Sequence, residues 1–288
     1  MANTETQAAG AATAEAAEGG LLDQILTQSK IARSDTERTR ARDLIAELVA
    51  QVSDGAMVVS KDAIGALDAR IAEIDRVLSE QLSSVMHAPE FQQLEGSWRG
   101  LKYLVDNSET STNLKIKVFN TTKKELVKDF KSASDFDQST LFKKLYEEEY
   151  GTFGGAPFAT LIGDFEFGRH PEAMYLVEEI SHVCAAAHAP FLSAASPELL
   201  GFDDFTELSG PRDLAKIFDT VEYAKWKSFR ASEDSRYVGL AMPHVLGRLP
   251  YGPDTAPVEA FNFVEATTGT DHNKYLWMNA AYALGTKV

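Results

Sequence analysis

Glu179 and His182 form an E-x-x-H pair in a stretch with helical apolar spacing, and Cys184 and His188 follow close behind. Two metal ligands on one helical face is therefore the first chemistry the chain suggests. Di-metal sites need that motif twice together with further carboxylates, and the spacing from His182 to His188 is not a same-face one. The pair reads as structural, and no metal or other cofactor is expected. The string GTFGG at 151–155 would let backbone amides approach a phosphate, but a phosphate loop follows a strand, opens a helix and ends in Lys-Ser or Lys-Thr. Here the glycines lead through Pro157 into an apolar run, so the order is wrong and a turn before a strand is the better reading. Ser97, in GSWRG, does not occupy the central position of a G-x-S-x-G nucleophile elbow. Asp164, Glu166, Arg169 and His170 gather after an apolar run, at the edge where α/β folds bind ligands. An acidic cytoplasmic α/β enzyme with its site near these four is the alternative function, although no nucleophile, base and orienting group converge on them in sequence.

The elements that would position such residues must come from 288 residues, enough for one large or two modest domains. With 28 Lys and Arg against 43 Asp and Glu, the net charge of −15 would repel a nucleic-acid backbone or an anionic membrane surface. Neither nucleic acid nor direct membrane insertion is expected. One cysteine, Cys184, excludes a disulfide framework within the chain and suits a reducing compartment. The first twenty residues lack a basic region followed by an apolar one, and Asn120-Thr-Thr122 is accordingly expected to stay unglycosylated. The protein is placed in the cytoplasm.

Residues 1–20 hold almost nothing large to bury and read as a disordered tail. Residues 21–51 read as a helical hairpin: a short helix with Leu21, Leu22, Ile25 and Leu26, then a second opened by the capping box Ser34-Asp-Thr-Glu37 and closed at Ser53-Asp54-Gly55. Residues 52–92 read as a linker strand, Ala56, Met57, Val58 and Val59, followed by a long helix. In that helix Ile64, Leu67, Ile71, Ile74, Leu78, Leu82 and Val85 recur at steps of three and four, close to a heptad seam. The seam faces either its own domain or another chain.

Residues 93–288 alternate strands and helices, so the fold class is α/β, a mixed-sheet domain preceded by a helical arm and an extended linker. Phe91, Leu94, Trp98, Leu101 and Leu104 predict a buried helical face interrupted at Gly96 and Gly100. Leu114, Ile116 and Val118 alternate with Lys115 and Lys117, a half-buried strand signature. A capping box, Thr122 to Glu125, opens a helix, and Pro171 opens another. Strands are expected at 158–162, 190–193, 237–241 and 258–263, with helices around 211–231.

Taken together, the strings FQQLEGSWRGLKYLV at 91–105, GTFGGAPFATLIGDFEFGRHP at 151–171, SPELLGF at 196–202, LSGPRDLAKIFD at 208–219, RLPYGP at 248–253 and KYLWMNAAYALG at 274–285 closely resemble the large sheath subunit of bacterial type VI secretion systems, the TssC/VipB family. The resemblance implies a structural protein without catalytic activity. It would pair with a small sheath subunit, link to neighbouring sheath protomers by strands donated across chains, polymerise around an inner tube and contract. It also implies recycling by a ClpV-type AAA+ unfoldase that binds a helix matching residues 21–31, with Leu21, Leu22, Ile25 and Leu26 as anchors. The strand of Ala56, Met57, Val58 and Val59 is then the candidate inter-protomer strand. The seam of Ile64, Leu67, Ile71, Ile74 and Leu78 is the candidate small-subunit interface. Family members continue well beyond Val288, which implies a form lacking the C-terminal region. Inner-tube and baseplate contacts belong to the full-length protein.

Overall fold

The computed structural model describes residues 35–53 and 63–288. The expected tail, the helix of Leu21, Leu22, Ile25 and Leu26, the Ser34 cap and the strand of Ala56, Met57, Val58 and Val59 lie outside the described residues. The chain divides at Val77/Leu78 into two units. In the first, α1 (Asp35–Ser53) is helical as its periodicity predicts. The helix α2 (Ala63–Met86) carries the seam and runs across the division.

The second unit is built on three parallel strands, β1 (Leu161–Phe167), β2 (Phe191–Ala195) and β3 (Val238–Ala241), in the order β1-β2-β3. Parallel neighbours need a crossover, and α5 (Pro171–Ala187) supplies the one between β1 and β2. Pro171 sits in its first turn, and His188 ends it in the left-handed conformation (φ 53°). Leu176, Val177, Ile180 and Val183 are buried on its sheet-facing side with Phe167, and Cys184 lies among them, where burial pushes its thiol up to about 12 and leaves it unreactive. The register slips between Ile162 and Glu166. The buried Ser193 hydroxyl donates there to the carbonyls of Gly163 (3.0 Å) and Phe165 (2.8 Å), satisfying groups that the bulge takes out of the ladder.

The capping box on α4 (Lys123–Ser132) is present in both halves: the Glu125 amide donates to Thr122 Oγ1 at 3.2 Å and the Thr122 amide donates to Glu125 Oε2 at 2.8 Å. The Thr122 amide and the Thr122 hydroxyl, which donates to the same Oε2 at 2.9 Å, hold the Glu125 carboxyl below its usual range.

Several sequence expectations are corrected. The helix α3 (Pro89–Asp106) is continuous, and Gly96 and Gly100 are contact points rather than an interruption. A Cβ on Gly96 would stand 2.6 Å from the Trp277 carbonyl oxygen of β5 (Trp277–Met278), which forms a second, antiparallel sheet with β4 (Val245–Leu246), and one on Gly100 would enter the Tyr282 ring of α7 (Ala280–Gly285). The face expected to be buried is so only at its end: Phe91, Leu94 and Trp98 are exposed and Leu101 is half-buried, while Leu104 is buried together with Gly96 and Gly100. The strand expected at 158–162 lies at Leu161–Phe167, because its ladder begins where the Leu161 amide donates to the Pro190 carbonyl. No strand forms at 258–263; the chain just after it is tied to a helix by side-chain hydroxyls described below. The helices around 211–231 are mostly short 3-10 turns, Leu214–Asp219 and Val221–Tyr223, before α6 (Ala224–Ala231). The half-buried strand expected at 114–118 does not form: the residues belong to no sheet and all but Ile116 are exposed.

Candidate functional site

The residues proposed for chemistry are each engaged elsewhere. Tyr175 bonds Glu179, while His182 Nδ1 meets Asp234 Oδ2 at 2.8 Å, so the E-x-x-H pair does not converge. Among the described residues no group of three or more His, Cys, Asp and Glu is placed to hold a metal. Glu166 pairs with His244 (2.8 Å), Arg169 with Glu222 (3.0 Å), His170 caps α5, and Asp164 bonds Tyr282, whose hydroxyl is pushed up by burial and by that carboxylate. Beside Arg169 lies a cleft of about 40 Å³, far below the few hundred Å³ that a bound small molecule fills. The four residues of the alternative enzyme site therefore share an edge without forming a site.

A different ionic cluster organises the fold. The Arg248 guanidinium, 8% exposed, grips Glu265, 1% exposed, through Nη1–Oε2 (2.6 Å) and Nη2–Oε1 (3.1 Å), and its Nε donates to Glu95 at 2.8 Å. Arg99 joins Glu95 (2.6 Å) and donates to the Tyr251 hydroxyl (3.0 Å). The Tyr251 amide donates to Glu265 (2.9 Å), His87 Nε2 reaches Glu265 at 3.1 Å, and Arg248 stacks 4.7 Å from the Tyr251 ring centroid. Burial alone would raise the Glu265 carboxyl, yet Arg248 and the Tyr251 amide together hold it below its usual value. Burial likewise opposes the Arg248 charge, and the two carboxylates outweigh it. The cluster ties the RLPYGP corner to α3 and to the chain just after α2. No spacing in the sequence announces it, though a lone Glu265 inside the apolar run FNFVEA was a usable signal.

The last turns of α2 invert the usual rule. Ser79, Ser83 and Met86 are its buried residues, with the hydroxyls of Ser79 and Ser83 accepting from the amides of Val264 (3.3 Å) and Ala266 (3.0 Å). Those bonds fall just past Phe263, where the strand expected at 258–263 would have ended. The apolar seam is left bare: Leu67, Ile71, Ile74, Leu78, Leu82 and Val85 are all exposed, Ile71 at 56%. The Ile64 side chain lies outside the described residues. A second bare stripe, Phe91, Leu94 and Trp98, the last 66% exposed, runs along α3. Single exposed apolar residues are ordinary, whereas stripes this long mark contact with another surface.

The α/β unit thus uses its ionisable groups to hold its own loops together, and bare apolar stripes run along α2 and α3. Residues 68–288 match the tail sheath N-terminal domain of the VipB (EvpB) family, and the chain belongs to that family. It is 49% identical over 270 residues to the type VI secretion system sheath protein TssC1 of Pseudomonas aeruginosa, an alignment covering 93% of this chain and 53% of that protein. The chain thus spans about half the length of that relative. No helix among the described residues is long and apolar enough to cross a membrane.

Proposed function

We propose that this chain is a structural subunit of a contractile type VI secretion sheath: with a small sheath subunit it polymerises around an inner tube, and contraction of the polymer drives effector delivery. The observation that carries the reading is the family match over residues 68–288. The exposed seam on α2 supports it, because a helix with one row of small polar residues turned inward and its leucines turned outward is built to receive another chain. In this reading Ile64, Leu67, Ile71, Ile74 and Leu78 meet the small subunit. Ala56, Met57, Val58 and Val59 supply a strand to neighbouring protomers. Leu21, Leu22, Ile25 and Leu26 form the helix that a ClpV-type AAA+ unfoldase takes into a groove after contraction. Inner-tube and baseplate contacts fall to the full-length protein, the work is cytoplasmic, and no reaction is catalysed.

Co-expression tests it. The chain is expected to co-purify with a small type VI sheath subunit as a heterodimer that survives size-exclusion chromatography. Separate elution of the two proteins at micromolar concentration would count against the reading.

A further inference from the structure

Residues 114–119 have the sequence of a strand but form none among the described residues. Leu114, Ile116 and Val118 alternate with Lys115 and Lys117, and the segment lies outside both sheets. Among the described residues, the main-chain N–H and C=O groups from Lys115 to Asn120 make no hydrogen bond. Val118 is 72% exposed. A strand-forming sequence whose main-chain hydrogen-bonding groups are open can take a further strand beside it.

The surface around it is shaped for the side chains of such a strand. A groove of about 390 Å³ lies between the segment and the end of α3, lined by Leu101 and Val105 from the helix and by Leu114, Ile116 and Val118. Leu101 continues the bare α3 stripe of Phe91, Leu94 and Trp98 by one helical step. A strand laid along 114–119 would turn alternate side chains onto this apolar floor and the others toward the two lysines.

We infer that residues 114–119 are an acceptor edge for a strand from a different polypeptide, one whose side chains alternate between apolar and acidic. A second copy of this chain is the wrong occupant. Antiparallel self-pairing about Ile116 sets Leu114 opposite Val118 but sets Lys115 opposite Lys117 across both strands, and like charges directly opposite destabilise a sheet. The charge pattern selects the partner instead. Lys117 already reaches Glu149, which shows that an acid fits there, while Lys115 lines the groove with no ion pair among the described residues. The inference concerns this edge alone and stands apart from the seam on α2.

Two nine-residue fluorescent peptides test it on the whole 288-residue chain, one alternating valine with glutamate and one alternating valine with lysine. By fluorescence anisotropy the glutamate peptide is expected to bind at least tenfold more tightly. Its addition should slow hydrogen exchange at the amides of residues 115–119. Ile116→Pro removes one amide donor from a segment that has no hydrogen bond to lose within the fold, so it should leave the melting temperature unchanged and weaken binding at least tenfold. Lys115→Glu should reverse the preference between the peptides. Absent or equal binding of the two peptides, binding untouched by Ile116→Pro, or self-association that Ile116→Pro abolishes would each overturn the inference, the last by assigning the edge to a second copy.

Discussion

Replacing Arg248 with methionine is expected to destabilise the second unit by about 3 kcal/mol or more, because it removes one partner of a buried pair and strands the other. Methionine roughly keeps the volume and loses both carboxylate contacts. Glu265, 1% exposed, keeps only the Tyr251 amide and His87, while Glu95 keeps Arg99. For a unit of this size the loss corresponds to a fall in melting temperature of roughly 6–12 °C, measurable by calorimetry or urea unfolding. Arg248→Lys keeps the charge but not the fork, and should fall between wild type and methionine. The pH dependence supplies a second reading. Glu265 is held below its usual value near 4.5, so its contribution is fully present above that pH and is lost as pH falls through the lowered value of the folded state. In Arg248→Met the Arg248 share of that depression is lost, and the part of the acid destabilisation due to Glu265 should shrink. A methionine variant as stable as wild type, with the same acid limb, would mean the cluster is incidental.

The second large effect is expected in association rather than in folding. Ile71 and Ile74 are exposed in the free chain, so Ile71→Glu with Ile74→Glu should leave its melting temperature within about 2 °C of wild type. In the complex each glutamate would be an unpaired charge at the centre of an apolar contact, costing about 2 kcal/mol or more and together a loss of several hundredfold or greater in affinity for the small sheath subunit. Val221→Glu, at an exposed position away from α2, is the matched control and should bind normally. Retention of the small subunit by the doubly substituted chain would place its interface elsewhere.

Much of the fold was legible because local signals and packing agreed. Thr122 with Glu125 opened α4, Pro171 opened α5, and the apolar run of β2 sits in the middle of the sheet, buried on both faces. Periodicity gave the helices α2 and α3 but not the direction in which they face. An apolar stripe states that something must cover it, and neither Leu78 on α2 nor Trp98 on α3 carries information on whether the cover is its own chain. Gly96 and Gly100 were misread for a related reason. What makes them glycine is the approach of Trp277 and Tyr282, far along the chain, which no local window contains. The alternation at Leu114, Ile116 and Val118 read as a half-buried strand, and no strand forms there among the described residues. The Arg248–Glu265 pair escaped because two charged residues seventeen positions apart in irregular structure leave no period to detect. The enzyme alternative rested on Asp164, Glu166, Arg169 and His170 being close in sequence. Their side chains are drawn off to Tyr282, His244, Glu222 and the first turn of α5.

The most direct measurement of the central claim is electron microscopy of the chain, extended at its C-terminus to the length of the Pseudomonas relative and co-expressed with a small sheath subunit. The account predicts hollow tubules containing both proteins from the wild-type sequence and none from Ile71→Glu/Ile74→Glu. Tubules from both sequences, or single dispersed particles from both while the two proteins elute apart, would contradict it.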